Sequence, residues 1–305
     1  MRPRSWARVA CLVLGGWLFA GGPTARAQEL EPRAYAPNPT GANFVLVGYG
    51  YSSGDVVFDP SVPITNVTAH VNQSALFYGR TFGLFGRAAS AAVQLPYVWG
   101  TVEGDVGEDR RSVYRSGLAD LRLRLTANIL GGPALAPREF AARAPRTTLG
   151  ASVVVVAPTG QYDPAKLINV GTNRWAFKPE LGLSRPAGRW FLELYGGVWI
   201  FGANHDFYGG SLREQSGLFA LQSHVSYVFR PRLWLAGDAT FYTGGQTTVD
   251  GVRKADLQRN SRFGLTLAVP VKRRSSLKVS WARGLITRVG GDFTTLSVGY
   301  QFLWF

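Results

Sequence analysis

Asp120, Arg122 and Arg124 stand two residues apart, with Leu121 and Leu123 between them. Lys178 and Glu180 repeat the spacing, and Glu193 stands between Leu192 and Leu194. Period two places such charges on one face of an extended chain and the leucines on the other. His224 and Asp238 fall on the polar faces of two further alternating segments. Across a narrow interior, charges of both signs can pair and fill the space, or they can line a wet path for a solute. Both uses remain open. Glu193 shares its face with Phe191 and Tyr195, and Lys178 is one partner available to it.

Catalysis needs more than single polar residues. A nucleophile requires a base within hydrogen-bond reach and a group that orients the base. His70, His205 and His224 are the only histidines. His205 adjoins Asp206, and His70 and His224 lie near Ser74 and Ser226, but no spacing singles out a serine nucleophile. No catalytic residue is assigned, although a barrel enzyme acting on lipid stays an alternative. The one cysteine, Cys11, lies in the N-terminal leader, so the mature chain carries no thiolate and no disulfide. There is no histidine pair at ligand spacing. Glu103, Asp105, Glu108 and Asp109 do not follow a calcium-loop series and read as a solvated loop. Neither a phosphate loop nor a dinucleotide fingerprint occurs. No metal and no cofactor is expected.

The elements that would position these charges follow from the rest of the chain. Residues 1–27 read as a cleaved secretory signal: Arg2, Arg4 and Arg8, an apolar run, then Ala25-Arg26-Ala27. Removing its four arginines lowers the formal charge from +14 to +10. The excess is spread over short turns, at Arg185 and Arg189, Arg230 and Arg232, and Lys272 to Arg274, which argues against a nucleic-acid surface. Those turns either meet anionic lipid headgroups or are simply solvated. Residues 28–41 are Pro-rich and aperiodic and read as a periplasmic lead-in. From residue 42 to 305 the chain divides into about twelve alternating segments, each near the roughly 9–11 residues that a tilted strand needs to cross a bilayer.

Residues 293–305 form the clearest strand, with Leu296, Val298, Tyr300, Phe302 and Trp304 on one face. An aromatic edge strand needs a partner, and in lipid the sheet must close on itself. Pairing with a first strand at about 42–51 would close it. The ending also resembles the assembly signal of bacterial outer-membrane barrels, which implies recognition by the barrel-assembly machinery. Connections near residues 82–85, 185–189, 230–232 and 272–275 are short, whereas 52–65, 101–112, 158–173, 202–215 and 244–260 are long. Two exceptions are a long lower connection at 130–146, with a short helix at 139–143, and a short upper one at 289–292. Trp99 and Trp175 map to one membrane interface and Trp190 and Trp304 to the other, while Trp199 and Trp234 fall on the inward face. The fold expected is an all-β transmembrane antiparallel barrel of the outer-membrane type, with short periplasmic turns and longer extracellular loops.

Residues 153–190 carry the most specific stretch: Pro158, Gly160 and Tyr162, then Leu167, Asn169, Gly171, Asn173, Arg174 and Trp175, then Phe177, Pro179, Glu180 and Gly182, with Gly188 and Trp190. It resembles the bacterial outer-membrane transporter family of the MetA pathway of phenol degradation. Gly48-Tyr49-Gly50-Tyr51, Leu84-Phe85-Gly86-Arg87, Tyr242-Thr243-Gly244-Gly245 and Gly290-Gly291-Asp292 extend the likeness over most of the mature chain. The resemblance implies a channel in the outer membrane for passive uptake or efflux of small, often aromatic or hydrophobic compounds. On the residues alone, the loop with Tyr162, Asn169, Asn173 and Arg174 either folds inward and constricts a pore or is pinned outside for stability. A plugged barrel with a structural or adhesive role is the third reading.

Overall fold

The computed structural model describes residues 30–57 and 64–305. The expected secretory signal lies outside the described residues. In chain order the elements are β1 (Asn43–Val57), β2 (Ile64–Leu84), β3 (Arg87–Val106), β4 (Asp109–Leu118), β5 (Arg122–Leu130), α1 (Pro137–Ala142), β6 (Thr148–Val156), β7 (Ala176–Ala187) and β8 (Trp190–Phe201). They continue with β9 (Asn204–Phe207), β10 (Ser211–Gln215), β11 (Leu218–Arg230), β12 (Leu233–Gly244), β13 (Thr247–Val249), β14 (Val252–Arg253), β15 (Gln258–Lys272), β16 (Ser275–Ile286) and β17 (Gly290–Trp304).

Neighbouring wall strands are antiparallel, and the sheet closes where β17 meets β1, with Asn43 opposite Trp304 and Val57 opposite Gly290. β4 pairs with residues 97–106 of β3 and β5 with residues 89–94, so the two are halves of one wall position broken at 119–121. Counted that way, the wall is a closed barrel of twelve strands. The closing strand fulfils its expected pairing, and β1 runs six residues beyond the reading of 42–51.

Burial is inverted relative to a protein folded in water. Along β7, Ala176, Lys178, Glu180, Gly182 and Ser184 are buried, while Leu181 and Leu183 are 56% and 44% exposed. Leu192, Leu194, Leu296 and Phe302 are likewise on the outside, and Arg124, Gln222, His224 and Arg262 on the inside. Alternation with period two produces this division on most of the wall strands, and only a hydrocarbon surround makes a continuous leucine exterior favourable. Aromatic rings mark the interfaces. Tyr49, Tyr97 and Trp99 cluster at the loop end, and Trp190 lies 4.8 Å from Tyr227 at the turn end. Trp199 and Trp234 are buried in the interior, on the face their register assigns.

At the periplasmic end the turns are two residues long, at Phe85-Gly86, Gly188-Arg189, Pro231-Arg232 and Arg273-Arg274. The extracellular connections are more ordered than their sequence suggests. Residues 101–112, read as a loop, are a β3–β4 hairpin turning at Gly107 and Glu108. There Arg110 bonds Asp105 at 3.2 Å and Glu103 at 3.3 Å. Above the membrane both faces are polar, so the ladder persists while the apolar alternation that reveals strands disappears. Most of 52–65 is strand for the same reason. The expected loops 202–215 and 244–260 contain β9, β10, β13 and β14, a four-stranded sheet. The short helix, α1, begins two residues earlier than its expected start at 139.

Candidate functional site

The interior has two levels. The lower one contains chain rather than solvent. Residues 31–39, within the segment read as a periplasmic lead-in, are threaded inside the wall, where Glu31, Arg33 and Tyr35 are each no more than 5% exposed. This strap is anchored by every second residue. Glu31 accepts a hydrogen bond from Arg124. The Arg33 backbone N–H donates to Glu193 Oε2 at 2.8 Å, and its guanidinium lies 4.0 Å over the Phe191 ring. The Tyr35 hydroxyl lies 2.8 Å from Ser152 Oγ and 2.9 Å from Glu180 Oε1, with its ring edge-on to Tyr195.

The wall is shaped for this strap. Gly150 and Gly182 are opposite one another on β6 and β7. A Cβ at Gly182 would lie 2.1 Å from the Tyr35 ring and one at Gly150 2.4 Å from it. Two adjacent inward positions without side chains thus make a notch one ring wide. The chain leaves the lumen past Pro39, whose carbonyl accepts from Thr81 Oγ1 at 2.6 Å. Beneath it lies a smaller recess lined by Phe140 of α1, Arg143 and Phe191.

Most of the charges singled out from sequence meet at the upper surface of this plug. Lys178 Nζ bonds Glu180 Oε2 at 2.7 Å, Gln222 donates to the same oxygen at 3.1 Å, and Arg124 reaches Glu180 Oε1 at 3.3 Å. Lys178 therefore pairs with Glu180, and Glu193 is taken by the strap. Arg122 is buried one inward position above Arg124. Two strands from β7, His224 Nδ1 on β11 lies 2.7 Å from Asp238 Oδ1 on β12, and Thr266 donates to Asp238 Oδ2 at 2.7 Å. His224 Nε2 has no hydrogen-bond partner among the described residues. The pair is therefore half of a catalytic relay, with no hydroxyl in line at the nitrogen that would act as base.

Asp120 does something different from its sequence neighbours. It sits in the break between β4 and β5 and accepts from Gly160 N at 2.9 Å and Thr172 N at 3.0 Å. Beside it, Gln161 N donates to Leu118 O, and its side chain occupies the space where a Cβ on Gly117 would stand. The chain from 157 to 175 thus completes the wall where β4 has no strand neighbour on its second edge. Asn169 caps the turn at Asp163, its Oδ1 accepting from Asp163 N at 2.9 Å. Tyr162 and Asn173 both bond Asn204 of β9, at 3.0 Å each. Arg174 bonds Gln215 and lies 4.6 Å over Phe201.

The upper level is open by contrast. One recess, continuous with solvent, lies against the inner faces of β2 and β3, with Val71, Val98 and Val102, and the loop residues Ile168 and Val170. Asp120 and Arg122 also line it. A second is lined by Trp199 and Phe201 below and Arg174 and Arg213 above. Sequence reasoning missed Glu31, Arg33, Tyr35 and Arg213. The strap residues do alternate as 31, 33 and 35, but a run this short among prolines carries little signal. Arg213 lay in a stretch whose polar strands resemble loop.

Among solved structures the chain is similar to the COG4313 outer membrane channel from Pseudomonas putida F1, with TM-score 0.74 and 23% identity over 90% of this chain and 100% of that one. The β domain of the Bordetella autotransporter BrkA gives TM-score 0.51 at 11% identity, over 86% of this chain and 99% of that one. The NanC porin gives 0.50 at 10% identity, over 85% and 98%. At such identities the likeness is one of fold, that of outer-membrane barrels. No curated protein matches. The model of the family described as "Putative MetA-pathway of phenol degradation" matches residues 38–302, from the exit of the strap to the closing strand, and the chain belongs to that family.

Proposed function

We propose that this protein is a channel of the outer membrane that lets small, largely apolar or aromatic compounds diffuse through it, after export directed by residues 1–27. The observation that carries the reading is the contrast inside one barrel: recesses at the loop end with apolar side chains and a few placed polar groups, above a charged, strapped lower lumen. Asp120, Arg122, Arg124, Lys178, Glu180, Glu193, His224 and Asp238 would then border the path, and Tyr162, Asn169, Asn173 and Arg174 would hold the loop that narrows it. Passage requires the strap to shift. Purified protein in liposomes should raise permeability to phenol and benzoate above that of protein-free vesicles. Unchanged permeability, beside a porin that is active in the same assay, would overturn the channel reading.

A second reading is a permanently plugged barrel with a structural or adhesive role, favoured by the anchoring of Glu31, the Arg33 backbone and Tyr35. Planar-bilayer recordings separate the two. Silence in the native protein and also after Tyr35→Ala would support the plug.

A further inference from the structure

The cavity between Trp199 and the extracellular sheet is lined by a guanidinium that has no hydrogen-bond acceptor. The Arg213 side chain on β10 makes no hydrogen bond or contact ion pair with the described residues, and Asp256 acts on its charge only through space. Its one ring contact is with Phe207, 4.9 Å from the guanidinium carbon. Burial among the loops lowers its pKa, a sign that water solvates it poorly. The neighbouring polar groups are already committed. Both carboxylate oxygens of Asp256 accept from Thr247, at 2.8 Å from N and 2.6 Å from Oγ1. Gln215 donates to Gly245 O at 2.7 Å and accepts from Arg174. The half-buried guanidinium offers five donors to the cavity, and an acceptor placed there would pair with them.

The other side of the same cavity is aromatic. Trp199 and Phe201 stack at 6.3 Å between centroids with 9° between planes. The Trp199 indole N–H has no acceptor among the described residues. A flat apolar surface opposite an unpaired cation matches a ligand with a ring at one end and a negative charge at the other. A guanidinium fork fits a carboxylate in two parallel hydrogen bonds. Asp256 beside it would repel a dianion, so one negative charge fits best.

We propose that this cavity binds a small aromatic monocarboxylate, with the carboxylate on Arg213 and the ring against Trp199 and Phe201. The proposal names a substrate class for the channel reading and rests on it only for the site's place on a path; binding itself can be tested without transport.

Isothermal titration of the full-length protein in detergent, with benzoate, benzyl alcohol and acetate as probes, tests it. Benzoate should bind saturably, and benzyl alcohol and acetate each roughly tenfold more weakly, the size of one charge-assisted hydrogen bond or less. Arg213→Gln should weaken benzoate by a similar factor and Arg213→Lys should recover part of it, with heat-modifiable mobility confirming the fold. Phe201→Ala should weaken benzoate and leave acetate unchanged. No saturable benzoate binding, equal affinity for the three probes, or full affinity in folded Arg213→Gln would overturn the proposal. Saturable benzoate binding in a protein that fails the liposome assay would leave the site standing and remove the channel; transport without saturable binding would do the reverse.

Discussion

Below Lys178 the lumen is occupied by Glu31, Arg33 and Tyr35, and the wall charges there are committed: Arg124 to Glu31, Glu193 to the Arg33 backbone, Glu180 to Tyr35 and Lys178. Above Lys178 the barrel holds two recesses lined by apolar and polar side chains together, and one of its cations, Arg213, has a side chain with no hydrogen-bond acceptor among the described residues. Apart from the break between β4 and β5, the wall strands run through both levels, so most of the difference comes from side chains and inserted segments. A filled level resists passage and stabilises the barrel; an open one can hold a solute. The two jobs are divided along the barrel axis.

The largest expected effect comes from breaking the filled level. Replacing both Arg33 and Tyr35 with alanine removes the ring from its notch and the guanidinium from Phe191. Single-channel conductance should rise several-fold while the wall remains intact. If conductance stays at the native level, the strap is not the barrier and the division proposed above fails.

Glu180→Ala should cost the most stability. It leaves Lys178 and Arg124 buried without their shared carboxylate, and breaking a buried pair in this way costs about 3–5 kcal/mol. Urea or thermal unfolding in detergent would register the loss. Gly182→Ala is milder, because the strap can retreat from a Cβ placed 2.1 Å from the Tyr35 ring. Overpacking of this size costs about 1–3 kcal/mol, and part of it should be relieved by strap displacement, seen as faster proteolysis at residues 30–41. The combination Gly182→Ala with Tyr35→Ala should recover most of that stability; no recovery would mean that the notch does not serve Tyr35.

The filled and open levels were unequally legible in the sequence. Outward leucines and inward charges on β5, β7 and β8 repeat with period two, and lipid makes that period obligatory, so fold, closure and the placement of Arg124, Lys178, Glu180, Glu193 and His224 could be read directly. Asp120 shares the same period but leaves it in space, because the strand breaks at 119–121 and the carboxylate turns to the loop at Gly160 and Thr172. Period encodes the face of a strand and not where the strand stops. The strap was illegible for a different reason. The partners of Glu31, Arg33 and Tyr35 are 93 and more residues away in sequence, and the inward glycines at 150 and 182 that receive the ring look like any barrel glycine until it is seen between them. Arg213 was hidden in strands above the membrane, where no apolar face is required.

The smallest effect distinguishes the two levels by acid. Two segments above the open level are held in part by exposed carboxylates: the 163–169 turn by Asp163, whose pKa lies below its usual value through the Lys166 side chain and the Ala165 backbone N–H, and the extracellular sheet by Asp250, lowered by Ser211 and the Leu212 N–H. A carboxylate with a depressed pKa in the folded state contributes stability that is fully present above its unfolded value of about 3.9 and is lost as pH falls through the folded value. The loops at 163–169 and 211–250 should therefore stay protected from hydrogen exchange from neutral pH down to about pH 4 and loosen below it. The effect should be modest and weaken with added salt, because these groups face water. The strap is anchored instead by a ring in a notch and by buried partners, so residues 30–36 should keep their protection over the range in which the loops lose theirs. Simultaneous loosening of strap and loops would show that the two levels behave as one cooperative unit.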